Sequence, residues 1–151
     1  MPQQRNRHLN DCLRCPIIGE RGTGEEEFYQ LHALRFNIAI AHQLCQGHQL
    51  YRVPSEDLER WLDRARIDKE HIDHLPPDLG PGIVATLPRG SGMPLIDGNH
   101  RAARSLINRT EFHVFTLDQP ETLELLRRSM GNAAANYCWQ RLLASKPHPN
   151  D

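Results

Sequence analysis

The sequence has no apolar run approaching the ~18–20 residues that a membrane-spanning helix needs. It also lacks a charge excess of either sign, with a net charge of -1. Residues 1–50 and 94–131 each balance to zero, 51–93 carry -2 and 132–151 carry +1. No block therefore has the basic surplus that drives non-specific nucleic-acid binding. Lysine is nearly missing, with 2 Lys against 16 Arg. Arginine suits bidentate phosphate contacts, but a global bias also follows coding composition and decides little. No internal repeat, low-complexity tract or linker is present. Residues Met1 to Leu9 are polar and basic with no apolar core, so no secretory leader is expected. The four cysteines, Cys12, Cys15, Cys45 and Cys138, are accordingly expected as free thiols in a cytoplasmic protein. His8, Cys12 and Cys15 make half of a zinc pattern, but a closed site needs four ligands and no second pair exists.

At 151 residues the chain fits one domain with a core of its own. Thr23-Gly24-Glu25-Glu26 reads as a capping box, and Leu31, Leu34, Ile38, Ala41, Leu44 and Cys45 follow at helical spacing up to Gly47. This predicts one long helix in an N-terminal extension, residues 1–49, although Arg35–Ile40 also alternates like a strand. Leu50–Val53 is extended ahead of Pro54, and Ser55 caps a helix carrying Leu58, Trp61, Leu62 and Ala65. A short helix is expected over Asp68–Leu75, stopped by Pro76 and Pro77. Ile83–Leu87 and Met93–Asp97 read as strands of a hairpin turning at Pro88–Gly92. An amphipathic helix over Asn99–Asn108, a strand over Phe112–Leu117, and helices Gln119–Met130 and Asn132–Leu143 complete the chain. Residues 50–131 form the expected core, and 132–151 a C-terminal helix and tail.

The informative stretch is Asp97-Gly98-Asn99-His100-Arg101, where a strand turns sharply into a helix. A helix start presents amides without intrahelical acceptors and the positive end of its dipole, which suits an anion. Gly98 tolerates positive φ and lets backbone approach a ligand. His100 and Arg101 add side-chain donors, and Arg104 lies one turn on. Asp97 could cap the turn, bind a ribose hydroxyl or hold magnesium. The plainer alternatives are a turn built from Asp-Gly, a His100 bonded to a carbonyl, and an Arg101 paired with Asp97 or Glu111. His71 and His74, His32 and His42, and the run Glu25–Glu27 read as exposed helix faces or a negative first helical turn. Trp61 and Trp139 read as core or subunit-contact anchors.

Pro94–Leu106 resembles the signature of the ParB/sulfiredoxin superfamily, in which a strand, a G-x-H-R or G-x-R-R turn and a helix follow one another. The resemblance spans about residues 50–130 and rests mostly on ten of them. It implies a small α/β fold, a mixed sheet with flanking helices, whose turn binds nucleotide phosphates. Where sulfiredoxins carry their catalytic cysteine this chain has Asn99, which forms no thiol intermediate, so sulfinic acid reduction is not expected. Only 33 residues follow Asp118, without a basic face, so the helix-turn-helix DNA reader of the partitioning branch is not expected either. The motif is most similar to the D-G-H-H-R of free serine kinases, which use an acidic residue near the start of the domain as base. By position Glu56 or Asp57 would take that role here, although both suit the first turn of the helix after Ser55 as ordinary dipole partners. The expected ligands are ATP or another nucleoside triphosphate and magnesium. His100, Arg101 and Arg104 would lie on phosphates, Gly98 and Asn99 would be backbone donors, Asp97 would sit on metal or ribose, and Glu56 would be the base. Transfer or hydrolysis of the terminal phosphate is the first expectation. A non-catalytic nucleotide-dependent switch, with a homodimer as its output, is the second, and a ParB-like nuclease the third. No membrane partner is expected.

Overall fold

The computed structural model describes residues 27–62 and 80–145. The capping box at Thr23, the thiols Cys12 and Cys15 with His8, the helix expected over 68–75 with His71 and His74, and the tail from Lys146 lie outside the described residues. The elements in order are β1 (Phe28–Leu31), β2 (Leu34–Asn37), α1 (Ile38–Leu44), β3 (Tyr51–Arg52), α2 (Ser55–Leu62), β4 (Gly82–Val84), a 3-10 turn (Pro88–Gly90), β5 (Leu95–Asp97), α3 (Asn99–Asn108), β6 (His113–Thr116), α4 (Gln119–Met130) and α5 (Asn132–Ala144).

The protein is mixed α/β. A four-stranded sheet runs in the order β3-β6-β4-β5. β4 and β6 are parallel, and β3 and β5 flank them antiparallel. Successive residues of a strand face opposite sides of a sheet, and the apolar residues divide accordingly. Ile83 and Ile96 enter a core with Phe36, Ala41, Leu117, Leu125, Leu126 and Trp139. Val84, Leu95 and Val114 enter a second core with Leu58, Ala102 and Phe112. α1, α4 and α5 thus cover one face, and α2 and α3 the other. Both faces are buried, and the central strand β4 is buried at all three residues.

The long N-terminal helix expected from the spacing of Leu31 to Cys45 does not form. β1 and β2 make an antiparallel hairpin, with Phe28 opposite Asn37 and Leu31 opposite Leu34, and only Ile38–Leu44 is helical. The alternation already visible from Arg35 decides the outcome. Leu34 and Phe36 are buried while Arg35 is exposed and lies over the Phe28 ring. His32 takes the left-handed turn conformation, φ 53°, that a helix could not contain. Asn37 then caps α1, its Oδ1 accepting from the Ile40 amide at 3.1 Å, and its own amide donates to Ser129 Oγ on α4 at 2.8 Å.

The core elements follow their sequence signals. Ser55, expected as the cap of α2, is instead its first residue, and the turn closes on the Pro54 carbonyl; Trp61 donates its indole N–H to the Met93 carbonyl. α3 occupies Asn99–Asn108 and α4 Gln119–Met130. α4 opens with a capping box, Asp118 Oδ1 accepting from the Glu121 amide at 2.9 Å and Glu121 Oε1 from the Asp118 amide at 3.0 Å. Buried Thr122 fastens α4 to the sheet, because its hydroxyl accepts from the Thr86 amide at 3.0 Å.

Candidate functional site

The turn between β5 and α3 is built by close packing. Gly98 has φ 97°, ψ 18°, a left-handed conformation that favours glycine, and it caps α3 without a side-chain hydrogen bond. A methyl group on Gly98 would lie 3.0 Å from Gly82 Cα, and one on Gly82 would lie 2.7 Å from the Asp97 carbonyl oxygen. The approach that Gly98 permits is therefore to strand β4 and not only to a ligand. Asn99, expected as a backbone donor, turns its side-chain amide back to the Leu95 carbonyl at 3.0 Å.

Arg101 is committed inward. Its Nη1 donates to the carbonyls of Gly80 and Pro81 at 3.1 and 3.2 Å, and its Nη2 lies 3.0 Å from Asp97 Oδ2. This is the Asp97 pairing weighed from the sequence; Glu111 pairs instead with Arg52 at the surface. Asp97 Oδ2 also takes His42 Nε2, from α1, at 2.9 Å. The three side chains are only 12–17% exposed, against 62–67% for Arg52 and Glu111. The screening that makes a surface pair worth about 0–1 kcal/mol is largely absent from the Asp97 cluster.

Burial alone would raise the Asp97 pKa. The hydrogen bond from His42 and the charge of Arg101 outweigh it and hold the carboxyl below the usual aspartate range. Glu27, just ahead of β1, shifts the opposite way. Much of the residue meets solvent, but its carboxyl lies in a dense part of the surface. That desolvation, then the charge of Asp97, raise its pKa against the pull of Arg101 and His42. Two neighbouring carboxyls are thus pushed apart in acidity.

His100 and Arg104 stand half-buried on the first turns of α3, each with interactions of its own within the protein. Glu56, the expected base, is exposed in the first turn of α2, the dipole position its sequence also suited. A magnesium site does not fit Asp97. Its Oδ2 already faces two donor side chains, and no group of three His, Cys, Asp or Glu among the described residues is arranged to hold a metal. His42 and Glu27 are the members of the cluster that sequence reasoning missed. Both were read as parts of the long helix, and the one signal that could have found them was the strand-like alternation that dissolves it.

A second polar region lies beyond the carboxyl ends of β4 and β6. There His48 Nε2 meets Glu121 Oε2 at 2.5 Å beside an open cleft of about 700 Å³ reaching Tyr51, Thr86 and Thr116. Among the described residues its lining includes the carboxylates of Asp118 and Glu121 and no Arg or Lys, a balance that disfavours phosphate. An anion is better served at the α3 turn.

Compared with known proteins, the chain matches no family model, and no curated protein and no solved structure is significantly similar to it.

Proposed function

We propose that the turn Gly98–Arg104 binds the phosphates of a nucleoside triphosphate, and that the chain is a small nucleotide-binding protein of ParB/sulfiredoxin type. The observation that carries this reading is the neutralisation of Asp97. A carboxylate beside a helix start would repel phosphate, and here His42 and Arg101 both lie on its Oδ2. The first amides of α3, the positive end of its dipole, and His100 and Arg104 on its first turns then act on an incoming anion without that opposition. The strand–turn–helix order, β5 to α3 through a left-handed glycine, supports the family resemblance in kind.

In its enzymatic form the reading is transfer of the terminal phosphate to a small hydroxyl, or its hydrolysis. A second reading, a nucleotide-dependent switch with little turnover, is favoured by one observation: Arg101 is tied to three protein oxygens and not presented to a terminal phosphate.

A thermal-shift panel of ATP, ADP, CTP and GTP, with and without magnesium, tests the proposal. Binding to the folded state adds about 2.7 kcal/mol at a hundredfold excess over Kd. A shift with triphosphates is expected, and a flat panel overturns the reading. Release of ADP or phosphate, lost in His100→Ala, identifies the enzyme; binding with no release identifies the switch.

A further inference from the structure

We infer that Asp97 competes with the ligand for Arg101, and that His42 is the positioning residue that lets the guanidinium be handed over. The inference rests on the phosphate-binding reading of the α3 turn. It starts from one shared atom. Asp97 Oδ2 lies 3.0 Å from Arg101 Nη2 and 2.9 Å from His42 Nε2. A carboxylate oxygen against a guanidinium offers Arg101 what a phosphate oxygen would offer it. The internal pair therefore occupies the donor that the motif would otherwise direct to an anion.

The three residues come from three elements: His42 from α1, Asp97 from the end of β5, and Arg101 from the first turn of α3. Stripping Arg101 from Asp97 would leave a largely buried carboxylate uncompensated, which is strongly unfavourable. His42 removes that obstacle, because it remains on the same oxygen when the guanidinium turns away. Turning the guanidinium toward a ligand also gives up the bonds from Nη1 to the Gly80 and Pro81 carbonyls, so the ligand has to offer Arg101 acceptors in their place. Ligand affinity is then reduced by the fraction of molecules in which Arg101 stays with Asp97. His42 sets that fraction.

The consequence is a pair of opposite effects. Asp97→Asn removes the competing charge and is expected to tighten binding of inorganic tripolyphosphate by about fivefold, the size of a competent fraction near one fifth. His42→Leu leaves Asp97 dependent on Arg101 alone and is expected to weaken binding by a similar factor. His42→Gln, whose amide can donate to the same oxygen, restores it. A purely structural role for the cluster would weaken binding in both the Asp97 and the His42 variants.

The experiment is calorimetric titration of the full-length protein and the three variants with tripolyphosphate, with folding checked by circular dichroism. Wild-type protein that binds neither tripolyphosphate nor any nucleotide overturns the phosphate-binding reading and this inference with it. Wild-type protein that binds, with Asp97→Asn equal or weaker, overturns this inference alone. Should Asp97→Asn fail to fold, Asp97→Ser is titrated in its place: tighter binding upholds the inference, and equal or weaker binding overturns it. His42→Leu that binds as tightly as wild type, or His42→Gln that does not recover, overturns it as well.

Discussion

Gly82 and Gly98 stand back to back, one in β4 and the other at the start of α3, with no room for a methyl group between them. The strand and the turn are thereby set against each other at backbone distance. Phe112 closes the contact, its ring tip 2.9 Å from a methyl built on Gly82 and 3.2 Å from one on Gly98. Gly82→Ala meets the Asp97 carbonyl and should cost about 1–3 kcal/mol by overpacking. Gly98→Ala adds a left-handed penalty and should cost roughly 2–4 kcal/mol. Urea melts measure both, and a cost below that of Gly92→Ala, whose methyl would meet nothing within 4 Å, would contradict the packing argument.

The two carboxyls of the cluster give stability opposite dependences on pH. Asp97 has a depressed folded-state pKa, so its contribution is complete above the unfolded value of about 4 and drains away as pH falls below it. Glu27 has a raised one, so its contribution is complete below about 4.3 and is lost as pH rises through the folded value. Stability measured across pH should therefore fall less steeply in acid for Asp97→Asn than for wild type. Glu27→Gln should remove a loss that wild type shows on the neutral side. Profiles that run parallel to wild type would contradict both assignments.

Cys45 is buried against α4 and β2, and burial, followed by the charges of Glu121 and Asp97, pushes its thiol up to about 12. The thiolate is the reactive form. Peptide-resolved alkylation at about pH 8, below even the ordinary thiol pKa of about 8.5, should leave Cys45 unmodified in the native protein and modify it in denaturant. Half-buried Cys138 should react first of the two. Native labelling of Cys45 at the rate of Cys138 would contradict its burial.

Thr122 is fully buried, accepts from the Thr86 amide and donates to the Leu117 carbonyl at 3.4 Å. Thr122→Val keeps the shape and strands the Thr86 amide, at a cost of about 1–3 kcal/mol. Thr122→Ser keeps the hydroxyl and should lose only the smaller packing contribution of one methyl, about 1 kcal/mol. Denaturant midpoints separate the two, and a valine variant as stable as wild type would show the bond to be dispensable.

The core was largely legible from local signals. Gly98 and Asn108 bracket α3, and Pro88–Gly92 forces a hairpin turn; each is a short-range signal that the packing agrees with. The N-terminal region was not legible, because Leu31, Leu34 and Ile38 satisfy a helical spacing and Leu34 and Phe36 a strand spacing at once. Tertiary burial of Phe36 settles the competition. The turn Asp97–Arg101 was found as a motif, but the direction of Arg101 was not. It follows the carbonyls at 80 and 81, 21 and 20 residues away in sequence, which no local pattern announces.

The pairing of Tyr51 with Val114 joins positions far apart in the sequence. Among the described residues β3 has no other strand beside it, and β6 also supplies the partner that β4 requires on its parallel side. On the ribosome β3 and β4 would emerge with β6, the strand that stands between them, still untranslated. Assembly of the sheet has to wait for the segment after Phe112, and sequence-distant pairing of this kind is slow. Chains arrested before that point would hold unsatisfied strand edges and bare apolar faces, the form of a nascent protein that chaperones recognise.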